Sequence, residues 1–297
     1  MLLEKQVKSV LNKLKQRDSW FLVDYSVNPY EGCSCNCLYC YIRGSKYGEN
    51  MEDGLAVKIN ALKILEKQLQ ARARKDKYGI IAVGSATDAY MPHEADFGMT
   101  ERILKLLLKY RFPVFISTKR TLITRDLELL KQIDTQAILP WDLKETHGRG
   151  VILAVSVSSL NTTITNMLEP GAVPPVLRFQ LVEQLKQQGF LVGVNAIPVL
   201  PFISDSEDEL EKIISAAHQH GADFILVGSL TLFGNSTASS KTLYYKFLQR
   251  HNPDLIKAYD KLYAGNHFPS KKYLDELQFR VSKLCNKYNI RNSILRS

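Results

Sequence analysis

No stretch of this 297-residue chain approaches the roughly 18 to 20 uncharged apolar positions that a membrane-spanning helix needs. Met1 to Arg17 is charged throughout, unlike a secretory signal, so a soluble cytoplasmic protein without a membrane partner is expected. Between Cys40 and Cys285 there is no cysteine at all, which excludes a disulfide framework spread along the chain. A glycine-rich nucleotide fingerprint, a long internal repeat and a low-complexity linker are also missing. Their absence argues against a doubly wound nucleotide-binding sheet, a solenoid and a string of separate domains.

What is present is a crowd of thiols. Cys33, Cys35, Cys37 and Cys40 fall on one short loop, and the fifth cysteine, Cys285, leaves an odd count. Disulfides between such close neighbours would be strained, so the spacing points to metal. Cys33 and Cys37 are separated by three residues, Cys37 and Cys40 by two. Three thiolates can hold three irons of a cubane and leave the fourth free to bind a chelating substrate, whereas an electron-transfer cluster ordinarily takes four. Four thiolates on zinc is the competing reading, although zinc sites usually pair two separated knuckles. In the three-cysteine reading Cys35 is a bystander pointing away from the cluster.

Short β-rich runs at 22–27, 80–83, 114–117, 152–157, 192–197 and 224–227 alternate with helical periodicity at 55–74, 100–110, 124–133, 175–188 and 206–220. Start and stop signals frame several of them: the Pro174–Pro175 pair, Ser206 before acidic residues, and Gly189 and Gly221 as terminators. Six βα units predict an α/β protein, an incomplete (β/α)6 TIM-like barrel with a C-terminal helical extension. The expected division is a helical lead-in over 1–20 with its helix at 2–15, the barrel over 21–234, and a basic extension over 235–297. The extension carries helical patterns at 241–251, 253–263 and 271–288. The thiol loop follows the first strand, at the end of the barrel where chemistry belongs.

The run Asn28-Pro29-Tyr30-Glu31-Gly32-Cys33 with Cys37-Leu38-Tyr39-Cys40-Tyr41 resembles the radical S-adenosylmethionine (SAM) superfamily. Gly84-Ser85-Ala86-Thr87-Asp88, Ser117-Thr118-Lys119-Arg120, Leu168-Glu169-Pro170 and Pro198-Val199-Leu200-Pro201 follow successive strands. Together they resemble the spore photoproduct lyase-like, DNA repair photolyase-related group. The resemblance implies a [4Fe–4S] cluster on Cys33, Cys37 and Cys40. It also implies reductive cleavage of S-adenosyl-L-methionine to a 5′-deoxyadenosyl radical that abstracts hydrogen from substrate, and a one-electron reductant of flavodoxin or ferredoxin type. Lys119 is expected to meet the SAM carboxylate. Ser85, Thr87 and Asp88 are expected at the second strand's end, Ser156 and Ser158 by the ribose, Asn195 on strand five, and Tyr39 along the adenine edge. His93 and Glu94 follow strand two as a surface pair.

In spore photoproduct lyases a hydrogen-donor cysteine follows strand two, and here Ser85 holds that place, so photoproduct repair itself is not expected. Of the net charge of +9, the stretch from Lys241 to Ser297 contributes 12 Lys and Arg against 4 Asp and Glu, interleaved with tyrosines and phenylalanines. That mixture suits DNA or RNA, with Lys271 and Lys272 among the expected contacts, and equally an amphipathic helical cap with solvated lysines. A radical enzyme for nucleic acid, one for a small molecule or peptide, and a non-catalytic metal-binding protein all remain open.

Overall fold

The computed structural model describes residues 2–45, 48 and 54–295. Strands β1 (Leu3–Lys5), β2 (Leu11–Lys13), β3 (Tyr25–Val27), β4 (Tyr30–Glu31) and β5 (Ala56–Lys58) precede helix α1 (Ala61–Ala73). Then come β6 (Ile81–Val83), α2 (Glu94–Phe97), α3 (Met99–Tyr110), β7 (Val114–Thr118), α4 (Leu127–Gln136), α5 (Trp141–Lys144) and β8 (Val151–Ser156). The chain continues with α6 (Thr162–Leu168), α7 (Pro175–Gln187), β9 (Leu191–Val199), α8 (Glu207–Gln219) and β10 (Phe224–Ser229), and ends in α9 (Ser240–His251), α10 (Ile256–Tyr263) and α11 (Lys271–Lys287).

Seven strands form one sheet in the order β10-β9-β8-β7-β6-β3-β2, six of them parallel, with β2 antiparallel on β3. The sheet is a partial barrel, open between β10 and β2. All six expected barrel strands form. The helical lead-in does not: residues 3–5 and 11–13 are strands, because β1 pairs with β5 and β2 with β3. Pairing across the fold overrides a weak local helical pattern. The helix expected from residue 55 begins at Ala61 for the same reason, since Ala56–Lys58 is paired on both sides, by β1 and by β4.

Side chains alternate across each strand. One set, including Val83, Ile116, Leu153, Val155, Val192, Val194 and Ile225, packs outward under the helices. The other faces the barrel interior, where Ala82, Phe115, Ile152, Ala154 and Leu226 meet Phe21, Leu22, Leu143, Ile294 and Leu295. Residues from both ends of the chain thus close the floor. Gly193 on β9 is required there, because a Cβ would lie 2.1 Å from the Phe224 ring. Helix α8 starts on Ser206, whose hydroxyl accepts from the Glu209 amide, and Gly189 and Gly221 take positive φ just past α7 and α8.

Candidate functional site

The thiol loop lies at the C-terminal end of β3, sewn to the loops after β7 and β8. Leu38 N–H donates to Leu168 C=O at 2.8 Å and Gly171 N–H to Cys35 C=O at 3.1 Å. Only glycine suits position 171, where a Cβ would stand 1.8 Å from the Ser34 carbonyl oxygen. Arg120 donates to the Gly171 carbonyl from the third side. Cys37 is buried, and Cys33 and Cys40 are half-buried. Burial pushes the Cys37 thiol up to about 12, against the pull of Lys119. Burial raises Cys40 as well, against nearby backbone amides and Lys119. Cys35 does not point away as expected: its thiol hydrogen-bonds Cys33, which together with burial pushes its pKa up, and its Sγ stands 3.8 Å from Asp88 Oδ2.

Asp88 ties this loop to the next two strand ends. Its carboxylate accepts from Thr118 Oγ1 at 2.8 Å, Lys119 N at 2.8 Å and Tyr90 N at 2.9 Å, while its own amide donates to Cys33 Sγ at 3.4 Å. The carboxylate expected to meet a cofactor is therefore already engaged by protein donors, as a clamp between Cys33, Cys35 and β7. Lys119, next along, is half-buried. Burial opposes its charge, but Cys37 and Glu169 outweigh that and raise its pKa.

Glu169 is a centre that sequence reasoning left out of the site. It is fully buried, accepts from Tyr39 OH and Arg178 Nη2, and takes the Ser158 hydroxyl at 2.6 Å. Burial penalises its charge, yet Lys119, Arg178 and the hydroxyls of Ser158 and Tyr39 hold its pKa below the usual carboxylate range. Arg178, only 1% exposed, also donates to the carbonyls of Val173 and Ser156 at 2.7 and 3.0 Å. The available sequence signal was the acidic residue in Leu168-Glu169-Pro170; nothing local marked Arg178, which reaches the site only through the packing of α7.

Higher in the barrel interior, Ser117 Oγ lies 3.0 Å from Ser156 Oγ and accepts from Asn195 Nδ2 at 2.8 Å. The structure thus brings together Tyr39 with Ser158, and Ser156 with Asn195, while adding Ser117. Thr87 Oγ1 and Asn195 Oδ1 are buried without a hydrogen-bond partner among the described residues, a condition that ordinarily costs about 1–3 kcal/mol per group. Such orphans fit a bound molecule carrying donors. Ser85 lies apart: it is exposed, its hydroxyl accepts from Asn28 at 3.1 Å and its carbonyl from Tyr41 OH at 2.7 Å. Glu94 is no surface residue. It is 0% exposed and bonds Tyr30 OH, the Thr100 amide and Arg125, so it braces α2 against α3.

Among the described residues no three His, Cys, Asp or Glu side chains converge on a single ion-sized point. A cubane takes each thiolate on a different iron. Three thiols on one loop, a neighbouring cation and unpaired oxygens fit an anionic cluster with a polar ligand beside it. No helix among the described residues is long and apolar enough to cross a membrane.

The model of the Radical SAM superfamily matches residues 27–217. The chain belongs to the radical SAM superfamily. It is an enzyme fold whose family implies SAM and an iron–sulfur cluster. An uncharacterised protein of Mycobacterium tuberculosis is 28% identical to it over 95% of this chain and 79% of that one. A "Radical SAM Nalpha-GlyT isomerase" of Pseudomonas phage M6 is 21% identical over 84% of this chain and 47% of its own length. Among solved structures, a spore photoproduct lyase mutant with bound AdoMet and dinucleoside spore photoproduct superposes with a TM-score of 0.63 at 15% identity, covering 97% of this chain and 79% of that one. Another spore photoproduct lyase mutant reaches a TM-score of 0.66 at 14% identity. These likenesses show that the chain shares its fold with spore photoproduct lyase.

Proposed function

We propose that this radical SAM enzyme holds a [4Fe–4S] cluster through Cys33, Cys37 and Cys40, binds SAM beside it, and acts on nucleic acid. The carrying observation is the join of the thiol loop to Asp88 after β6, through Asp88 to Lys119 after β7, and to Glu169 just past α6, with Thr87 and Asn195 oxygens unpaired alongside. The chemistry supplied when both groups are bound is reductive cleavage of the sulfonium followed by hydrogen abstraction from substrate.

The chain's own residues do the rest. Lys119 meets the SAM carboxylate as a cation whose charge Glu169 sustains. Glu169, locked by Arg178, Ser158 and Tyr39, keeps that half of the pocket rigid. Ser117, Ser156 and Asn195 offer a connected set of polar groups for the ribose, with Asn195 Oδ1 and Thr87 Oγ1 free to accept. The apolar floor excludes water from below.

Nucleic acid as substrate is supported by the dinucleoside held in a structurally similar lyase and by the basic, aromatic extension packed against the back of the thiol loop. With Ser85 after β6 and no cysteine until Cys285, photoproduct reversal through a donor thiol at that place is not the reaction. A flavodoxin- or ferredoxin-type reductant and a cytoplasmic setting go with this reading, because free thiols persist in reducing compartments.

The test is anaerobic reconstitution with iron and sulfide, then reduction in the presence of SAM and pools of oligonucleotides or small metabolites and peptides. The expected result is four irons per chain, 5′-deoxyadenosine formation, and altered product only in the oligonucleotide pool. Product only in the metabolite pool would remove the nucleic-acid assignment, and zinc at the thiols would remove the whole proposal.

A further inference from the structure

The extension uses its positive charge in two different ways. On α11 every lysine is answered by a carboxylate: Lys271 by Asp275 at 2.7 Å, Lys272 by Glu276 at 3.9 Å, Lys283 by Glu207 at 3.2 Å, and Lys287 by Glu211. Two of these partners come from α8, so this charge fastens a helix to the barrel. On α9 and α10, apart from half-buried Lys241, the lysines and arginine stand in rows of like charge, Lys246 with Arg250 and Lys257 with Lys261, each pair one helical turn apart. All four are exposed, and none has an ion-pair partner among the described residues. Like charges at that spacing mildly disfavour a helix, and a polyanion laid along the rows would relieve that.

Their position is fixed by the buried side of the same helices. Tyr244 and Tyr259 meet hydroxyl to hydroxyl at 2.9 Å, Tyr259 donates to the Pro201 carbonyl at 2.6 Å and Tyr263 to the Leu230 carbonyl at 2.8 Å. Those carbonyls follow β9 and β10. The Ser240 amide donates to the Arg43 carbonyl just past the thiols. The hairpin of α9 and α10 therefore stands at the rim of the reactive end of the barrel.

Beside it is Phe202, 47% exposed with φ of +62°, a left-handed conformation that a bulky side chain rarely adopts. Its amide is held by Asp205 Oδ1 at 2.7 Å, and its ring meets Tyr259 edge-on at 5.7 Å. Strain of this kind persists where surrounding contacts over-determine it, as at ligand sites. Here it keeps an aromatic face at the rim that hydrophobicity alone would bury.

We infer that single-stranded or locally opened nucleic acid binds along this hairpin, with Lys246, Arg250, Lys257 and Lys261 on the phosphodiester backbone and Phe202 stacking a base at the barrel rim. The inference rests on the nucleic-acid reading above and assigns its surface. It moves the contact away from Lys271 and Lys272, whose charge is spent on Asp275 and Glu276. A lipid surface suits the site less well, because the apolar face of both helices is turned inward on the tyrosines.

The test is fluorescence anisotropy of a labelled, mixed-sequence single-stranded oligodeoxynucleotide with the full chain across a salt series. Replacing the four cations together by alanine is expected to lower the slope of log Kobs against log salt by about 3, at roughly 0.7 per lost single-strand phosphate contact. Phe202→Gly, which suits the left-handed backbone, is expected to weaken binding about tenfold. Lys271→Ala with Lys272→Ala is expected to change neither. Melting temperatures at or above that of the wild type check that all variants fold. Loss of binding in the Lys271/Lys272 variant, with the four-cation variant behaving as wild type, overturns the inference and leaves the nucleic-acid reading standing. A wild-type chain that binds no oligonucleotide overturns both. Binding only to phosphatidylserine vesicles, lost with the four cations, overturns both in favour of a membrane.

Discussion

The two halves of the barrel interior are built from the same strand faces and do opposite things. Moving up by two residues on one face, Phe115 gives way to Ser117, Ala154 to Ser156 and Gly193 to Asn195. Below the change, Phe21 packs on Phe115 with ring centroids 5.2 Å apart, and Ile294 and Leu295 close the opening. Above it, hydroxyls, an amide, Lys119 and the Glu169–Arg178 pair crowd the thiol loop. The lower half contributes stability by excluding water. The upper half holds a buried ion pair that protein groups satisfy and, at Thr87 and Asn195, unpaired oxygens that cost stability unless a ligand meets them. Substitutions should therefore separate cleanly: rim variants lose binding or chemistry, floor variants lose stability.

The largest expected effect is at the rim. Cys37→Ala should abolish the visible iron–sulfur absorption and 5′-deoxyadenosine formation while leaving the thermal midpoint of the metal-free chain nearly unchanged. A collapse of the metal-free fold would break the contrast. On the floor, Phe115→Ala should cost about 3–5 kcal/mol of stability, seen as a lower denaturant midpoint, with SAM affinity retained at low temperature by calorimetry.

Glu169 belongs to both categories and sharpens the comparison. Glu169→Met leaves Arg178 buried without its partner and should cost about 3–5 kcal/mol. Adding Arg178→Met should recover much of that stability but not SAM affinity, because Lys119 still lacks its neighbouring carboxylate. Recovery of both would reduce Glu169 to a structural role. Lys119→Ala should weaken SAM binding by roughly 10- to 100-fold, the worth of a charge-assisted contact, with iron content intact by metal analysis.

The smallest effect is a pH slope at the floor. Burial, aided by Arg149, lowers His147 from 6.5 to about 4, so the folded chain resists a proton that the unfolded chain accepts. Stability is present above pH 6.5 and falls as pH drops from 6.5 towards 4. The loss is on the order of 1–2 kcal/mol once partial exposure is discounted. Denaturation of the metal-free protein should show a shallower slope in this window for His147→Gln.

The six barrel strands, the helices between them and the thiol loop were legible because each is written locally, in hydrophobic period, capping residues and cysteine spacing. The lead-in was misread as helix because its strands exist only by pairing with Ala56–Lys58 and Tyr25–Val27. Lys119 was legible from its place after β7. Arg178 was not, because a cation inside a helix is ordinarily solvated, and only the approach of α7 to the β8 loop buries it against Glu169. Asp88 was visible as an acid at a strand end, but its saturation by Thr118, Lys119 and Tyr90 depends on three segments meeting.

By itself the sequence determined the radical SAM family, the order of βα units and the thiols available for a cluster, since all three reside in spacing along the chain. Tertiary structure alone decided which charges are answered. The lysines of α11 meet carboxylates on α8 and on their own helix, those of α9 and α10 meet none among the described residues, and Glu169 becomes a buried centre. A charge's worth depends on what stands within a few ångströms of it and how much water remains, and neither is a property of the residue's position in the sequence.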